Sequence, residues 1–112
     1  MHLVTAIVKA HRVEAVSDAL KAIDVTGMTI ADVQGFGRQR GHTEVYRGGE
    51  YKIDFLPKVR VDVLCSDDQA EKVADVIADA ARTGKIGDGK IWVTEIARTT
   101  RIRTGETGSD AL

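Results

Sequence analysis

At 112 residues the chain can build one hydrophobic core and is too short for two domains. Hydrophobic residues at 43% and charged residues at 29% exclude a disordered chain, and 16 basic against 17 acidic side chains argue against bulk binding to nucleic acid or to an anionic membrane. A single cysteine, Cys65, excludes an internal disulfide and a cysteine-built zinc cage, and no apolar run reaches the length that spans a bilayer.

The first residues, Met1-His2-Leu3-Val4-Thr5, lack the basic and then apolar layout of a signal peptide, so the expected location is cytoplasmic. Leu3 to Lys9 is mostly apolar and rich in β-branched residues, which predicts a strand. Val13, Val16, Leu20 and Ile23 recur at spacings of three and four, an amphipathic helix ending before Gly27. Met28 to Phe36 alternates as a second strand. Val59, Val61 and Val63 alternate with Lys58, Arg60 and Asp62 in a third. Ser66-Asp67-Asp68-Gln69 has the spacing of a capping box. Behind it Ala70, Val73, Ala74, Ile77 and Ala81 line one face of a second helix, and Ile91 to Ile96 forms a fourth strand. The order β-α-β-β-α-β predicts an α+β, ferredoxin-like domain over residues 1–112, with 106–112 as a flexible tail.

The first strand is apolar on both faces, with Leu3 and Ile7 opposite Val4, Ala6 and Val8. The fourth resembles it, with Ile91 and Val93 opposite Trp92 and Ile96. Two helices cover only one face of a four-stranded sheet, so a homo-oligomer packed through the other face is expected. Scattered surface apolar residues on a monomer are the plain alternative.

The segment from Gly37 to Asp54 far exceeds the usual hairpin loop of about 2–5 residues. It holds Arg38, Arg40, Arg47 and Lys52 against Glu44, Glu50 and Asp54, and lacks the apolar residues for a core of its own. It also carries Tyr46 and Tyr51. A tyrosine on such a loop can enter another enzyme's active site.

Thr83-Gly84-Lys85-Ile86-Gly87-Asp88-Gly89-Lys90 is the best phosphate-site candidate, because glycines let backbone N–H groups converge on an anion and lysine adds charge. A P-loop is excluded: Ile91 stands where a magnesium-binding hydroxyl is needed, and the segment runs from helix to strand. Two readings stand side by side, an anion site or a Gly84 helix cap followed by a turn. Downstream, Arg101 and Arg103 would project to one side of an extended chain about 7 Å apart, a spacing suited to a polyphosphate. A solvated basic strand end is the commoner meaning of such arginines. Lys58, at the start of the third strand, could pair with a carboxylate ligand or be a plain exposed end, and Cys65 reads as a buried thiol.

Together these residues resemble one family. Gly35-Phe36-Gly37-Arg38-Gln39-Arg40-Gly41-His42-Thr43-Glu44 is similar to the start of the T-loop of PII nitrogen-regulatory proteins. Tyr46-Arg47-Gly48-Gly49-Glu50-Tyr51 resembles that family's first signature, and Asp54-Phe55-Leu56-Pro57-Lys58 the return of the loop. Thr83 to Val93 resembles the second signature, and Arg101-Ile102-Arg103-Thr104-Gly105-Glu106 the C-loop, so that the likeness covers residues 3 to 106.

The resemblance implies a homotrimer of ferredoxin-like subunits, a T-loop at residues 37–54, and nucleotide sites between neighbours where ATP and ADP compete. Carried over by position, Gly87, Asp88, Gly89 and Lys90 would hold phosphates, joined by Arg101 and Arg103 of the adjacent subunit. Ile7, Thr29, Gly35, Gly37, Arg38, Val63 and Leu64 would surround the adenosine. Gln39 would complete the shell of Mg2+ with the ATP phosphates and 2-oxoglutarate. Backbone groups of Gly37, Arg38, Gln39, Arg40 and Gly41 would close over the 2-oxoglutarate, with Lys58 on its distal carboxylate. Tyr51 would be the modification site of a nucleotidyltransferase. Implied partners are glutamine synthetase adenylyltransferase, an ammonium channel or nitrogen regulators; no nucleic acid is implied, and the membrane enters only through the channel.

The chain departs from the family pattern at Gly49, which excludes the serine phosphorylation known in some members, at Ala10-His11, where Pro-Phe is usual, and at Asp62, where glutamate is usual. An RNA-binding domain shares the element order, yet Arg38 follows Phe36-Gly37 where a second aromatic would be needed, and the third strand offers no stacking platform. An enzyme using His42 lacks any residue that orients it, so a non-enzymatic sensor is the expectation.

Overall fold

The computed structural model describes residues 1–37, 45–46, 50–51 and 55–112. In chain order the elements are β1 (His2–Lys9), α1 (Val13–Ala22), β2 (Thr29–Gly35), β3 (Val45–Tyr46), β4 (Glu50–Tyr51), β5 (Leu56–Cys65), α2 (Ala70–Ala81) and β6 (Lys90–Glu95). Strands β2, β5, β1 and β6 lie side by side in that order as one antiparallel sheet. The expected ferredoxin-like α+β architecture is therefore the one observed. The short strands β3 and β4 pair with each other within the long insertion between β2 and β5, Val45 opposite Tyr51 and Tyr46 opposite Glu50.

The core follows from two periodicities. Along a strand every second side chain faces the same way. Val4, Ala6 and Val8 of β1 therefore share a face with Val63, Val61 and Val59, their partners on β5. Helical spacing brings Val16 and Leu20 of α1 and Val73 and Ile77 of α2 onto that face. All ten are buried, and each buried Val, Leu or Ile contributes about 1.5–3 kcal/mol.

On the opposite face Leu3 and Ile7 are only partly covered. Thr5 between them is fully buried. Its hydroxyl donates to Asp62 Oδ1 across the ladder at 2.6 Å, and Arg60 Nε donates to Asp62 Oδ2 at 2.9 Å. Burial opposes ionisation of Asp62, but the hydrogen bonds from Arg60 and Thr5 outweigh it and hold the carboxyl below its usual range. Burial likewise pushes the Cys65 thiol up, in keeping with an inert buried cysteine.

Three local expectations are corrected. The capping box does not form: the Ser66 hydroxyl donates to Asp68 Oδ1 at 2.6 Å, residues 67–69 make a turn, and α2 starts only at Ala70. Gly84 does not cap α2, because the helix has already ended at Ala81 and Arg82 is extended. The segment 106–112, expected as a flexible tail, instead holds a short 3₁₀ turn at Gly108–Ala111, whose following residue Leu112 accepts a hydrogen bond from Arg101.

Ala10–Arg12 form a 3₁₀ turn into α1. Arg12 then reaches the far end of α2, donating from Nε and Nη2 to the Ala80 carbonyl at 3.0 and 2.6 Å. Carbonyls in the last turn of a helix lack intrahelical donors and carry the negative end of its dipole, so a guanidinium suits both needs. Arg12→Ala should lower the unfolding free energy by about 1.5–3 kcal/mol, with partial recovery in Arg12→Lys. Urea denaturation checks this, and an unchanged midpoint would refute the clamp.

Candidate functional site

Past α2 the chain turns through Gly84, Gly87 and Gly89, all at positive φ, before entering β6. Asp88 organises this loop from inside. Its Oδ2 accepts the backbone N–H groups of Thr83 and Gly84 at 2.9 and 2.8 Å. Its Oδ1 accepts the Thr83 hydroxyl and lies 3.2 Å from Lys9 Nζ. The hydrogen bond from Thr83, joined by those from the two N–H groups and Lys9, holds the carboxyl far below the ordinary carboxylate range although desolvation opposes this. The Asp88 carboxylate thus faces into the loop, a role its place in the motif did not reveal.

Gly89 is held against β1. A Cβ built there would lie 1.7 Å from the Ile7 carbonyl oxygen, and φ is +96°, so only glycine permits the approach. Gly87 packs against two lysines: a Cβ there would meet Lys58 Nζ and Lys9 Cε, both at 3.4 Å. Lys9 and Lys58 are cross-strand partners on β1 and β5, which is why both ammonium groups reach one end of the sheet. Lys58 Nζ donates to the Gly87 carbonyl at 2.5 Å. Lys9 was not singled out from the sequence; only the strand register brings it here.

The loop and the sheet end enclose a cleft of about 550 Å³, within the usual range of small-molecule sites. It gathers Ile7, Gly35, Gly37, Lys58, Gly87, Asp88, Gly89 and Lys90, eight residues marked in the sequence, and adds Phe36 and Trp92. Phe36 also meets Phe55 edge-on, ring centroids 5.6 Å apart at 89°. The two rings sit one residue beyond Gly35 and Leu56, the last pair of the β2–β5 ladder, and so join the ends of the long insertion.

Other marked residues lie elsewhere. Thr29, Val63 and Leu64 line a second cleft of about 450 Å³ at the opposite end of the sheet. Thr29 and Gly35 are the two ends of β2, six residue steps apart, or roughly 20 Å of extended chain. Arg101 and Arg103 belong to a hairpin from Thr99 to Gly108 and border neither cleft. Arg38, Gln39, Arg40, Gly41 and His42 fall outside the described residues. Tyr51 is described only through its backbone pairing with Val45.

Among the described residues no three His, Cys, Asp or Glu side chains come together as a metal site. Among the same residues no helix is long and apolar enough to cross a membrane. The described fold is a small ferredoxin-like domain whose glycine loop is pinned above two lysines. The family model for nitrogen regulatory protein P-II matches residues 1–106. Nitrogen regulatory protein GlnK of Escherichia coli K12 is 54% identical over 112 residues, all of both chains. Nitrogen regulatory protein P-II of Rhizobium meliloti is 51% identical over the same span. A crystal structure of Arabidopsis thaliana PII bound to citrate superposes with a TM-score of 0.81 at 39% identity, covering 99% of this chain and 91% of that one. The chain belongs to the nitrogen regulatory protein P-II family, whose named members are regulators, and nitrogen signalling is its general function.

Gly89→Ala should force the loop off β1, destabilising the fold by more than about 1 kcal/mol and opening the cleft. Denaturant titration of the variant checks this, and wild-type stability would contradict the close approach.

Proposed function

We propose that the chain is a carbon, nitrogen and energy sensor that binds ATP or ADP competitively and takes 2-oxoglutarate in the presence of Mg-ATP. Supporting this reading is the cleft in which Gly87, Gly89 and Lys90 stand beside Lys58. Glycine N–H groups and ammonium groups are what a polyphosphate demands. The solved Arabidopsis relative was bound to citrate. Citrate is a polycarboxylate, and a site for one suits the Lys58 role.

The division of marked residues between two ends of one sheet supports a homotrimer. Ile7, Gly35 and Gly37 stand at one end, and Thr29, Val63 and Leu64 at the other. A single nucleotide cannot touch both within one chain. Neighbouring copies would complete the site, each offering Arg101 and Arg103 to the next. The half-covered Leu3, Ile7 and exposed Trp92 on the helix-free face suit such packing.

The described donor set is cationic, so it fits a polyanion and not a bare metal. A magnesium ion would come in on the phosphates and be held by Gln39. It would supply a hard cation to which a keto-acid can bind. Lys58 would leave the Gly87 carbonyl for the distal carboxylate, and the N–H groups of residues 37 to 41 would close over the ligand. ADP lacks the γ-phosphate, and the keto-acid site would then be incomplete. Tyr51 would be the target of a nucleotidyltransferase. Through the segment 37–54 the protein would act on glutamine synthetase adenylyltransferase, an ammonium channel or nitrogen regulators, from the cytoplasm.

Calorimetry with ATP, magnesium and 2-oxoglutarate in both orders of addition tests this. Each ligand should tighten the other by about 5–150-fold, and ADP should remove the effect. Lys58→Ala should abolish 2-oxoglutarate binding while largely sparing ADP. Equal 2-oxoglutarate affinity with and without ATP would refute the reading.

A further inference from the structure

The hairpin from Thr99 to Gly108 is tightly built. Thr100 bridges Thr107, the Gly108 N–H donates to the Thr99 carbonyl at 3.1 Å, and the Arg101 N–H donates to the Glu106 carbonyl at 2.8 Å. Within it the Arg101 guanidinium already holds acceptors. Nη1 donates to Glu106 Oε1 at 3.0 Å and Nη2 to the Leu112 carbonyl at 2.7 Å. Glu106 is fixed in turn, since the Thr104 hydroxyl donates to the same Oε1 at 2.8 Å and accepts the Glu106 N–H at 3.2 Å. The turn that presents Leu112 reaches the second cleft, where Ala111 and Leu112 stand beside Thr29 and Leu64.

We propose that Glu106 is a positioning residue of the nucleotide site, a built-in carboxylate that occupies the Arg101 fork until a phosphate group displaces it. This rests on the nucleotide reading above. Carboxylate and phosphate oxygens are alternative acceptors for one guanidinium, so binding exchanges one anion for another at Arg101. Thr104 keeps Glu106 in place, and the competitor is therefore present whenever the fork is empty. The pair is partly open to water, so the competition is modest and weakens with salt. The Leu112 carbonyl ties the same guanidinium to the turn lining the second cleft. Release of Arg101 from its intrachain acceptors thereby also frees Ala111 and Leu112 from the place where Thr29 and Leu64 would meet a purine.

The competitor acts only against phosphate, and this separates it from general loosening of the hairpin. ATP and adenosine affinities of the full chain are compared, by calorimetry at low salt, for wild type, Glu106→Gln and Arg101→Ala. Glu106→Gln should tighten ATP by about two- to fivefold and leave adenosine unchanged. Arg101→Ala should weaken ATP by about tenfold or more. ATP binding that is unchanged or weaker in Glu106→Gln, or adenosine tightened as much as ATP, overturns the proposal. Arg101→Ala with wild-type ATP affinity removes the arginine from the site, and the competitor with it. A wild-type protein that ignores ATP instead fails the nucleotide reading itself.

Discussion

The approach of Gly89 to the Ile7 carbonyl is the constraint on which the cleft depends. With no Cβ at Gly89, the loop after α2 lies directly on β1. That brings the Gly87 carbonyl within reach of Lys58. Asp88 then ties Thr83 and Gly84 to the same corner and joins Lys9 to it. A Cβ at one position would separate the glycine loop from the lysines that give it charge. The rest of the molecule serves this corner: the β1–β5 register aims both lysines the same way, and the valine face beneath holds the register.

The charge arrangement also explains why the corner is stable before any ligand arrives. Lys9 has Asp88 and Thr83 as partners, and Lys58 has a carbonyl. Neither cation stands unpaired in a half-covered site, which would be costly. The two contacts differ in consequence. Asp88 anchors the loop through the Thr83 and Gly84 N–H groups. The Gly87 carbonyl is a weaker acceptor than a carboxylate, so an acidic ligand can draw Lys58 away. In the proposed reading the Arg101–Glu106 pair repeats this logic at the other end of the chain, with an acceptor that competes on equal terms.

Much of the architecture was legible in the sequence because two simple periods carry it. The alternation of Val59, Val61 and Val63 and the helical spacing of Val16 and Leu20 are both realised in the core. The glycine loop was legible as an anion site or a cap. The cap is excluded because α2 ends at Ala81, and the close approach of Gly89 to the Ile7 carbonyl is a long-range fact that no local pattern encodes. That Lys9 meets the glycine loop and that Trp92 lines the cleft was not legible for the same reason, since only register and sheet order bring them there. The capping box failed because the Gln69 N–H, which the Ser66 hydroxyl oxygen would accept, donates to the Ser66 carbonyl in a turn instead. The shorter Asp62 is held in the sheet face by Thr5 and Arg60, a consequence of cross-strand pairing that its place in the motif could not show.

The central claim is that this cleft receives a nucleoside polyphosphate. Trp92, the chain's single tryptophan, lines it and is partly exposed, so its emission reports on occupancy. Titration with ATP should give a saturable change in Trp92 emission that ADP reverses by competition, with a further step when 2-oxoglutarate is added only if magnesium and ATP are present. An emission spectrum indifferent to ATP, together with a melting temperature that ATP does not raise, would contradict the account.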